Sequence, residues 1–208
     1  MGKETKEPFQ LKIQELSLED KNKKSFPFDL VGEKIFMIRI EEDMLPYLKE
    51  FRNDYEVRRW CRQVGLLNDY NQESWFESIN EDDTVSMYAI ISTIDDELTL
   101  VGVCGLTSID YINRRAEFSC YIGSNYRLRG FCSEALYLLF GHGFLDMNLH
   151  VIWGETFEHN LARKTFAKIG MKEEGVRRDF YYKEGKYINA VLISMTKNEF
   201  KERYLNGN

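Results

Sequence analysis

Tyr121-Ile122-Gly123-Ser124-Asn125-Tyr126-Arg127-Leu128-Arg129-Gly130-Phe131-Cys132-Ser133-Glu134-Ala135-Leu136 is the stretch on which the reading of this chain turns. A strand ends near Ile122, a short basic turn carries Gly130, and an apolar helix begins at once with Ser133 and Glu134 at its start. Such a junction gathers consecutive backbone N–H groups at the positive end of a helix dipole, where negative charge is stabilised. Arg127 and Arg129 add cationic donors beside them. Two readings of the turn stand at this point. One is a pyrophosphate cradle; the other is a tight turn in which Gly130 supplies an unusual φ and both arginines are solvated. Neither a G-x-x-x-x-G-K-[ST] loop nor a G-x-G-x-x-G fingerprint is present.

Upstream, residues 86–93 (SMYAIIST), 98–106 (LTLVGVCGL) and 116–122 (AEFSCYI) read as three strands. Asp95-Asp96-Glu97 turns between the first two, and Asn113-Arg114-Arg115 connects the second to the third. Before them, residues 34–40 (KIFMIRI) alternate as a strand. Glu41, Glu42 and Asp43 then place negative charge at a helix start, followed by Met44, Leu45, Leu48 and Phe51 at helical spacing. A second helix is expected over 72–79. The segment 57–65 between the two is rich in cations and ends in a loop. Downstream, residues 133–145 read as a helix, 149–157 as a strand, and 161–169 as a helix closed by Gly170. Residues 173–182 and 187–195 form a hairpin around Lys183-Glu184-Gly185-Lys186. An early antiparallel meander followed by helix-linked strands describes an α/β (α+β) domain with a mixed, mostly antiparallel central sheet flanked by helices.

The 208 residues carry 28 Lys+Arg against 34 Asp+Glu, a formal net charge of −6, with 43% hydrophobic and 30% charged residues. That composition is globular, and a chain of this length buries about 70% of its unfolded surface without disulfides or metals. The acidic balance argues against sequence-independent binding to nucleic acid. The first residues hold no apolar signal-peptide core, and Lys6 breaks the myristoylation pattern that Gly2 would begin. The most apolar window, 136–145, is interrupted by Gly141, His142 and Gly143 and is too short to span a bilayer. Cys61, Cys104, Cys120 and Cys132 form no C-x-x-C pair and read as reduced packing residues of a cytoplasmic protein with no membrane partner. His142, His150 and His159 lack ligand spacing, so no metal is expected.

Arg127-Leu128-Arg129-Gly130-Phe131-Cys132, continued by Ser133-Glu134-Ala135-Leu136, resembles the pyrophosphate loop of the GNAT N-acetyltransferase superfamily. That pattern is Q/R-x-x-G-x-G/A followed by Thr/Ser-Glu-Ala-Leu, and Cys132 stands here at the last small position. The blocks FRNDYEVRRW (51–60), VGVCGL (101–106), INRRAEFSCYIG (112–123), LHVIWGETFEHN (149–160) and FAKIGMKEEGVRRDFYYKEGKYINAVLISM (166–195) are similar, in the same order, to the branch holding ribosomal-protein and spermidine acetyltransferases. The resemblance divides the chain into a charged extension (1–31), an acetyltransferase domain (32–200) and a tail (201–208). It implies acetyl-CoA (CoA) as cofactor and acetyl transfer to an amine. Backbone groups of Phe118, Cys120, Tyr121 and Ile122 would pair with the pantetheine arm, one amide polarising the thioester carbonyl. Arg127, Leu128, Arg129, Gly130, Phe131, Cys132 and Ser133 would hold the pyrophosphate, largely through main-chain N–H groups. Asn160 would be the polar residue near the pantetheine.

An amine attacks a thioester only as the free base. An α-amino group with a pKa of about 7.7 is partly neutral at pH 7, but a lysine-like amine at about 10.4 is not; a carboxylate reaching the amine directly or through a water can take the proton. Glu117 and Glu155, on strands beside the expected acetyl site, are the candidates. The alternatives are a salt bridge from Glu117 to Arg114 or Arg115, and an exposed strand position for Glu155. By the resemblance a tyrosine protonates the leaving thiolate, but that position holds Phe166; Tyr126, Tyr181, Tyr182 and Thr165 stand as substitutes. Cys120 and Cys132 have no paired base, so direct attack in a ternary complex is expected rather than an acyl-enzyme.

Trp60, Arg62, Gln63, Tyr181 and Tyr182 are expected to frame the acceptor, with core packing the alternative for Trp60. Arg58, Arg59 and Arg62 suit an acceptor bearing phosphate or carboxylate, whereas the net charge and Glu117 favour a cationic one. A small-molecule amine such as a polyamine or amino sugar and a protein N-terminus both stay open, as do monomer and homodimer. The rival readings are a non-catalytic CoA-binding module and a different nucleotide-binding enzyme such as a phosphotransferase.

Overall fold

Turn chemistry lays out the sheet. Asp95 and Asp96 (φ 50° and 63°), and Glu184 and Gly185 (φ 51° and 79°), take left-handed conformations that join tightly paired antiparallel strands. The computed structural model describes residues 29–206. They form one eight-stranded sheet in the order β1-β2-β3-β4-β5-β6-β8-β7. The strands are β1 Leu30–Val31, β2 Ile35–Arg39, β3 Ser86–Ile94, β4 Glu97–Asp110, β5 Arg115–Ile122, β6 Val151–Phe157, β7 Lys172–Lys183 and β8 Lys186–Thr196. Every neighbouring pair is antiparallel except β5 and β6, which run parallel. The helices are α1 Leu45–Asn53, α2 Tyr55–Arg58, α3 Asp69–Glu81, α4 Phe131–Gly141, α5 Ala162–Ile169 and α6 Lys197–Tyr204. The fold is thus the expected mixed, mostly antiparallel sheet flanked by helices.

Helices cover both faces. On one, Ile35, Met37, Val101, Leu106 and Phe118 share a core with Leu136, Leu139 and Phe140 of α4, Phe166 of α5 and Phe200 of α6. On the other, Phe36, Ile38, Ile91 and Val103 pack with Leu45 and Leu48 of α1 and with Trp75 and Phe76 of α3. β2 therefore buries both of its faces, which is why its residues are apolar almost throughout rather than at alternate positions.

β1 lies at the end of the expected extension, and α6 crosses the expected boundary at residue 200. Leu30 and Val31 already pair with Met37 and Phe36, so the sheet begins inside the proposed extension. Within that extension Leu11, Ile13, Leu16 and Leu18 form an apolar pattern from which one strand or a short helix is expected; it lies outside the described residues. At the other end, α6 runs past residue 200 and takes in residues 201–204 of the expected tail. Thr196 and Glu199 form a reciprocal capping box, Phe200 is buried, and the Tyr204 hydroxyl donates to Ile169 O at 2.9 Å. Among the described residues no helix is long and apolar enough to cross a membrane.

Candidate active site

β5 and β6 pair only from Arg115–Glu117 to Val151–Trp153 and then separate. The cause lies one residue past the pairing on each strand. The Phe118 ring lies across Gly154, where a Cβ would stand 2.5 Å from it. Phe140 and Phe166 hold that ring edge-on, with centroids 5.6 and 5.3 Å away. β5 keeps β4 along its other edge. The Gly123 N–H donates to Val101 O at 2.9 Å, so by strand alternation Tyr121 and Ser119 also direct their backbone to β4. Phe118, Cys120 and Ile122 therefore turn N–H and C=O toward the gap. Tyr121 contributes its side chain instead, with the Arg52 guanidinium 5.3 Å above its ring. The gap widens into a cleft of about 750 Å³ bounded by β5, β6, the starts of α4 and α5, and the segment after α2.

The N-terminus of α4 opens into this cleft without a cap of its own. Gly130 (φ 89°) is its N-cap residue and makes no side-chain cap, and the first intrahelical bond is Glu134 N–H to Gly130 O at 3.2 Å. The N–H groups of Phe131, Cys132 and Ser133 are thus left for a ligand. α3 and α6, by contrast, are closed by capping boxes. Leu128 is also left-handed (φ 63°) and fully exposed, a strained conformation for a residue with a branched side chain. Cleft-lining residues here are Arg127, Leu128, Gly130, Phe131, Cys132 and Ser133. The Arg127 guanidinium is bound to Glu56 O. Arg129 lies apart, in an adjoining recess with Lys34. Asn160 lines the cleft as well; its Oδ1 accepts the Ala162 N–H at 3.0 Å and its Nδ2 donates to Thr156 Oγ1 at 2.9 Å, so the side chain itself opens α5.

Cys120 and Cys132 face each other, Sγ to Sγ, at 3.7 Å. Contact with Cys104 and burial push the Cys120 thiol well up; contact with Cys120 and burial do the same to Cys132. Neither is disposed to ionise as a nucleophile.

At the far end of the cleft the two carboxylates share one guanidinium. Register places Glu117 opposite Trp153, so Glu117 and Glu155 project from the same face of the sheet. Arg62 Nη2 is 2.7 Å from Glu117 Oε1, and Arg62 Nη1 is 3.5 Å from Glu155 Oε1. Glu155 also accepts from Arg177 Nη1 at 3.0 Å and from the Tyr181 hydroxyl. Burial and the bond to Glu155 raise the Tyr181 phenol to about 12, so it stays protonated at any working pH. Glu117 therefore pairs with Arg62 rather than Arg114 or Arg115; Arg115 turns to Asp110 at 3.3 Å. The Glu155 side chain is not at an exposed position; only 5% of it is accessible.

Of the proposed acceptor residues, Trp60, Arg62 and Tyr181 line the cleft. Trp60 also packs on His159, ring centroids 5.4 Å apart. Gln63 is turned into its own loop, its Nε2 donating to Gly65 O at 2.6 Å and its Oε1 accepting from Arg52 at 3.0 Å. Tyr182 lies on the opposite strand face from Tyr181, exposed against Tyr187. Two residues not anticipated from the sequence shape this end: Arg177, and Lys183, whose ammonium donates to the carbonyls of Arg58 (2.8 Å), Cys61 and Gln63 (3.4 Å). Their partners lie far away in the chain, and no local pattern marks them. Among the described residues no group of His, Cys, Asp and Glu is arranged to hold a metal ion.

A family model described as Acetyltransferase (GNAT) domain matches residues 35–172. The chain is 26% identical over 175 residues to the uncharacterized N-acetyltransferase p20 of Bacillus licheniformis, covering 82% of this chain and 97% of that protein. It is 27% identical over 100 residues to the spermidine N(1)-acetyltransferase of Escherichia coli K12, covering 48% and 54% of the two chains. The spermidine N-acetyltransferase from Vibrio cholerae, solved in complex with CoA and spermine, shares the fold with a TM-score of 0.75 at 18% identity, over 80% of this chain and 98% of that one. An uncapped helix start beside an open strand edge fits a nucleotide pyrophosphate with an extended arm, and with these matches it places the chain in the GNAT acetyltransferase family, as an N-acetyltransferase that uses acetyl-CoA.

Proposed function

We propose that this protein acetylates a primary amine by direct attack in a ternary complex, with Glu117 as the general base. The observation that carries the reading is the pair of carboxylates on one sheet face at the point where β5 and β6 part. Acetyl-CoA, when bound, supplies an acetyl thioester whose thiol, with a pKa of about 8.5, leaves readily at neutral pH. The N–H groups of Phe131, Cys132 and Ser133 hold the pyrophosphate, and Phe118, Cys120 and Ile122 offer their backbone to the arm and the thioester carbonyl. Both Glu155 oxygens are engaged by Tyr181, Arg62 and Arg177, whereas among the described residues the Glu117 carboxylate is held by Arg62 alone. Glu117 is thus the carboxylate that one displaced guanidinium leaves free to take a proton, and Glu155 anchors Tyr181 and the arginines. Phe166 offers no proton, which matches a reaction in which the thiolate departs unaided.

The test is incubation of the whole protein with acetyl-CoA and a panel of amines: spermidine, peptides with free N-termini, and amino sugars. Thiol release with a product heavier by one acetyl group is expected. Tight acetyl-CoA binding with no thiol release above spontaneous hydrolysis for any amine would overturn the reading.

Lys183 supports this arrangement from outside the cleft. Its ammonium fastens the segment that carries Trp60 and Arg62 to the β7–β8 hairpin. Charge-assisted bonds of this kind contribute about 1.5–3 kcal/mol each. Lys183→Met is therefore expected to raise KM for the amine about tenfold or more, while acetyl-CoA affinity stays within about twofold. Steady-state kinetics and calorimetry on the same preparation check this; an unchanged KM would show that the fastening is dispensable.

A further inference from the structure

Among the described residues, no carboxylate lining the cleft lacks a cationic partner. Of the acidic residues lining the cleft, Glu155 carries Arg62 and Arg177, and Glu56 faces Arg59 at 3.6 Å. Glu117, which is not among the lining residues, is bound to the Arg62 guanidinium at 2.7 Å. A polyamine brings several ammonium groups and would meet arginines at each of these positions. The cations differ among themselves in what they have left to give. Arg127 is bound to Glu56 O, and Arg52 to Gln63 and the Tyr121 ring. Arg62 is half-exposed on an irregular loop and uses only part of its five-donor fork.

Arg62 also stands where the incoming amine must go. For Glu117 to accept a proton from an amine, the guanidinium 2.7 Å from its carboxylate has to shift aside. A cation displaces it against repulsion. A group that offers Arg62 another carboxylate or phosphate draws it away and places an amine on the same molecule beside Glu117. Arginine is the side chain best matched to such planar, bidentate recognition. Resting on the transfer reaction proposed above, we infer that the acceptor is a small primary amine carrying a carboxylate or phosphate close to its nitrogen, with Arg62 as the counter-ion that both recognises the acid group and uncovers Glu117.

The experiment is calorimetric titration of the whole protein, saturated with CoA, with acceptors in matched pairs. One pair is an α-amino acid and its carboxamide; the other is O-phosphoethanolamine and ethanolamine; spermidine is a further arm. Acetylation of the same compounds is followed separately by thiol release. The anionic member of at least one pair is expected to bind roughly tenfold to a hundredfold more tightly than its partner, and spermidine more weakly than either anionic compound. Whichever pair shows the larger ratio identifies carboxylate or phosphate as the group read. In Arg62→Gln the preference should fall to about threefold or less, and Arg62→Lys, a point charge without the fork, should lie between. Equal affinities within both pairs, no detectable binding of either anionic compound, a preference that survives Arg62→Gln, or tighter binding of spermidine would each overturn the inference. Preferential binding without thiol release would leave this acceptor class standing and sink the transfer reaction. Thiol release that favours the amines without an acid group would do the reverse.

Discussion

Ser133→Asp is expected to weaken acetyl-CoA binding by at least a hundredfold while leaving the folded state as stable as before, or slightly more so. Ser133 is the third residue of α4, its N–H has no backbone partner, and it lines the cleft. A carboxylate in the first turn of a helix interacts favourably with the dipole, contributing about 0.3–1 kcal/mol. The variant should therefore not unfold. The same carboxylate competes for the N–H groups that would hold the pyrophosphate and repels its charge. Two unit charges about 4 Å apart interact by about 4 kcal/mol at an effective dielectric of about 20, and a hundredfold loss needs only about 2.7 kcal/mol. Gly130→Ala makes the milder companion. A Cβ there meets only the Lys34 ammonium at 3.6 Å, so there is room for it, but φ of 89° is costly for an L-residue by about 1–2 kcal/mol. Calorimetric titration beside urea unfolding separates the two effects. Unchanged acetyl-CoA affinity in Ser133→Asp would remove the α4 N-terminus from the cofactor site.

How much of this is legible in the sequence depends on whether the cause is local. The hairpins around Asp95-Asp96 and Glu184-Gly185 are readable because left-handed turn residues between apolar runs act over four positions. Gly170 closes α5 for the same reason, at φ 97°. The capping box at Thr196 and Glu199 is equally local, and it marks the last helix, which carries the fold past residue 200 into the expected tail. The separation of β5 and β6 has no such marker. It depends on Phe118 meeting Gly154 across the sheet, with Phe140 and Phe166 behind the ring. The sharing of Arg62 between Glu117 and Glu155 is likewise invisible, since its partner Glu117 is 55 residues away. Neighbouring cations in the chain, Arg114 and Arg115, make the nearer and wrong suggestion. The residue types of the site can be proposed from the strand and loop that carry them; their pairing belongs to the packing.

Glu117→Gln should lower kcat by about a hundredfold to a thousandfold, with acetyl-CoA affinity unchanged, because general-base catalysis contributes on that order. The amide keeps the shape and a hydrogen bond but cannot accept the amine's proton. Its distinguishing signature is the pH dependence. With no carboxylate to take the proton, the variant depends on amine that is already neutral, and that fraction grows tenfold per pH unit below the amine's own pKa. The deficit relative to wild type should therefore shrink as pH rises toward that value. Tyr181, held protonated to about 12, keeps its bond to Glu155 throughout that range, so the recovery is not obscured by collapse of the neighbouring carboxylate's support. Glu155→Gln should behave differently. Glu155 accepts from Tyr181 and Arg177, and removing its charge leaves those donors and Arg62 less firmly placed. A rise in the amine's KM with a smaller fall in kcat is expected, and high pH should not restore it. Thiol-release rates from pH 6 to pH 10 for both variants decide the assignment: recovery at high pH in Glu155→Gln and not in Glu117→Gln would exchange the two roles.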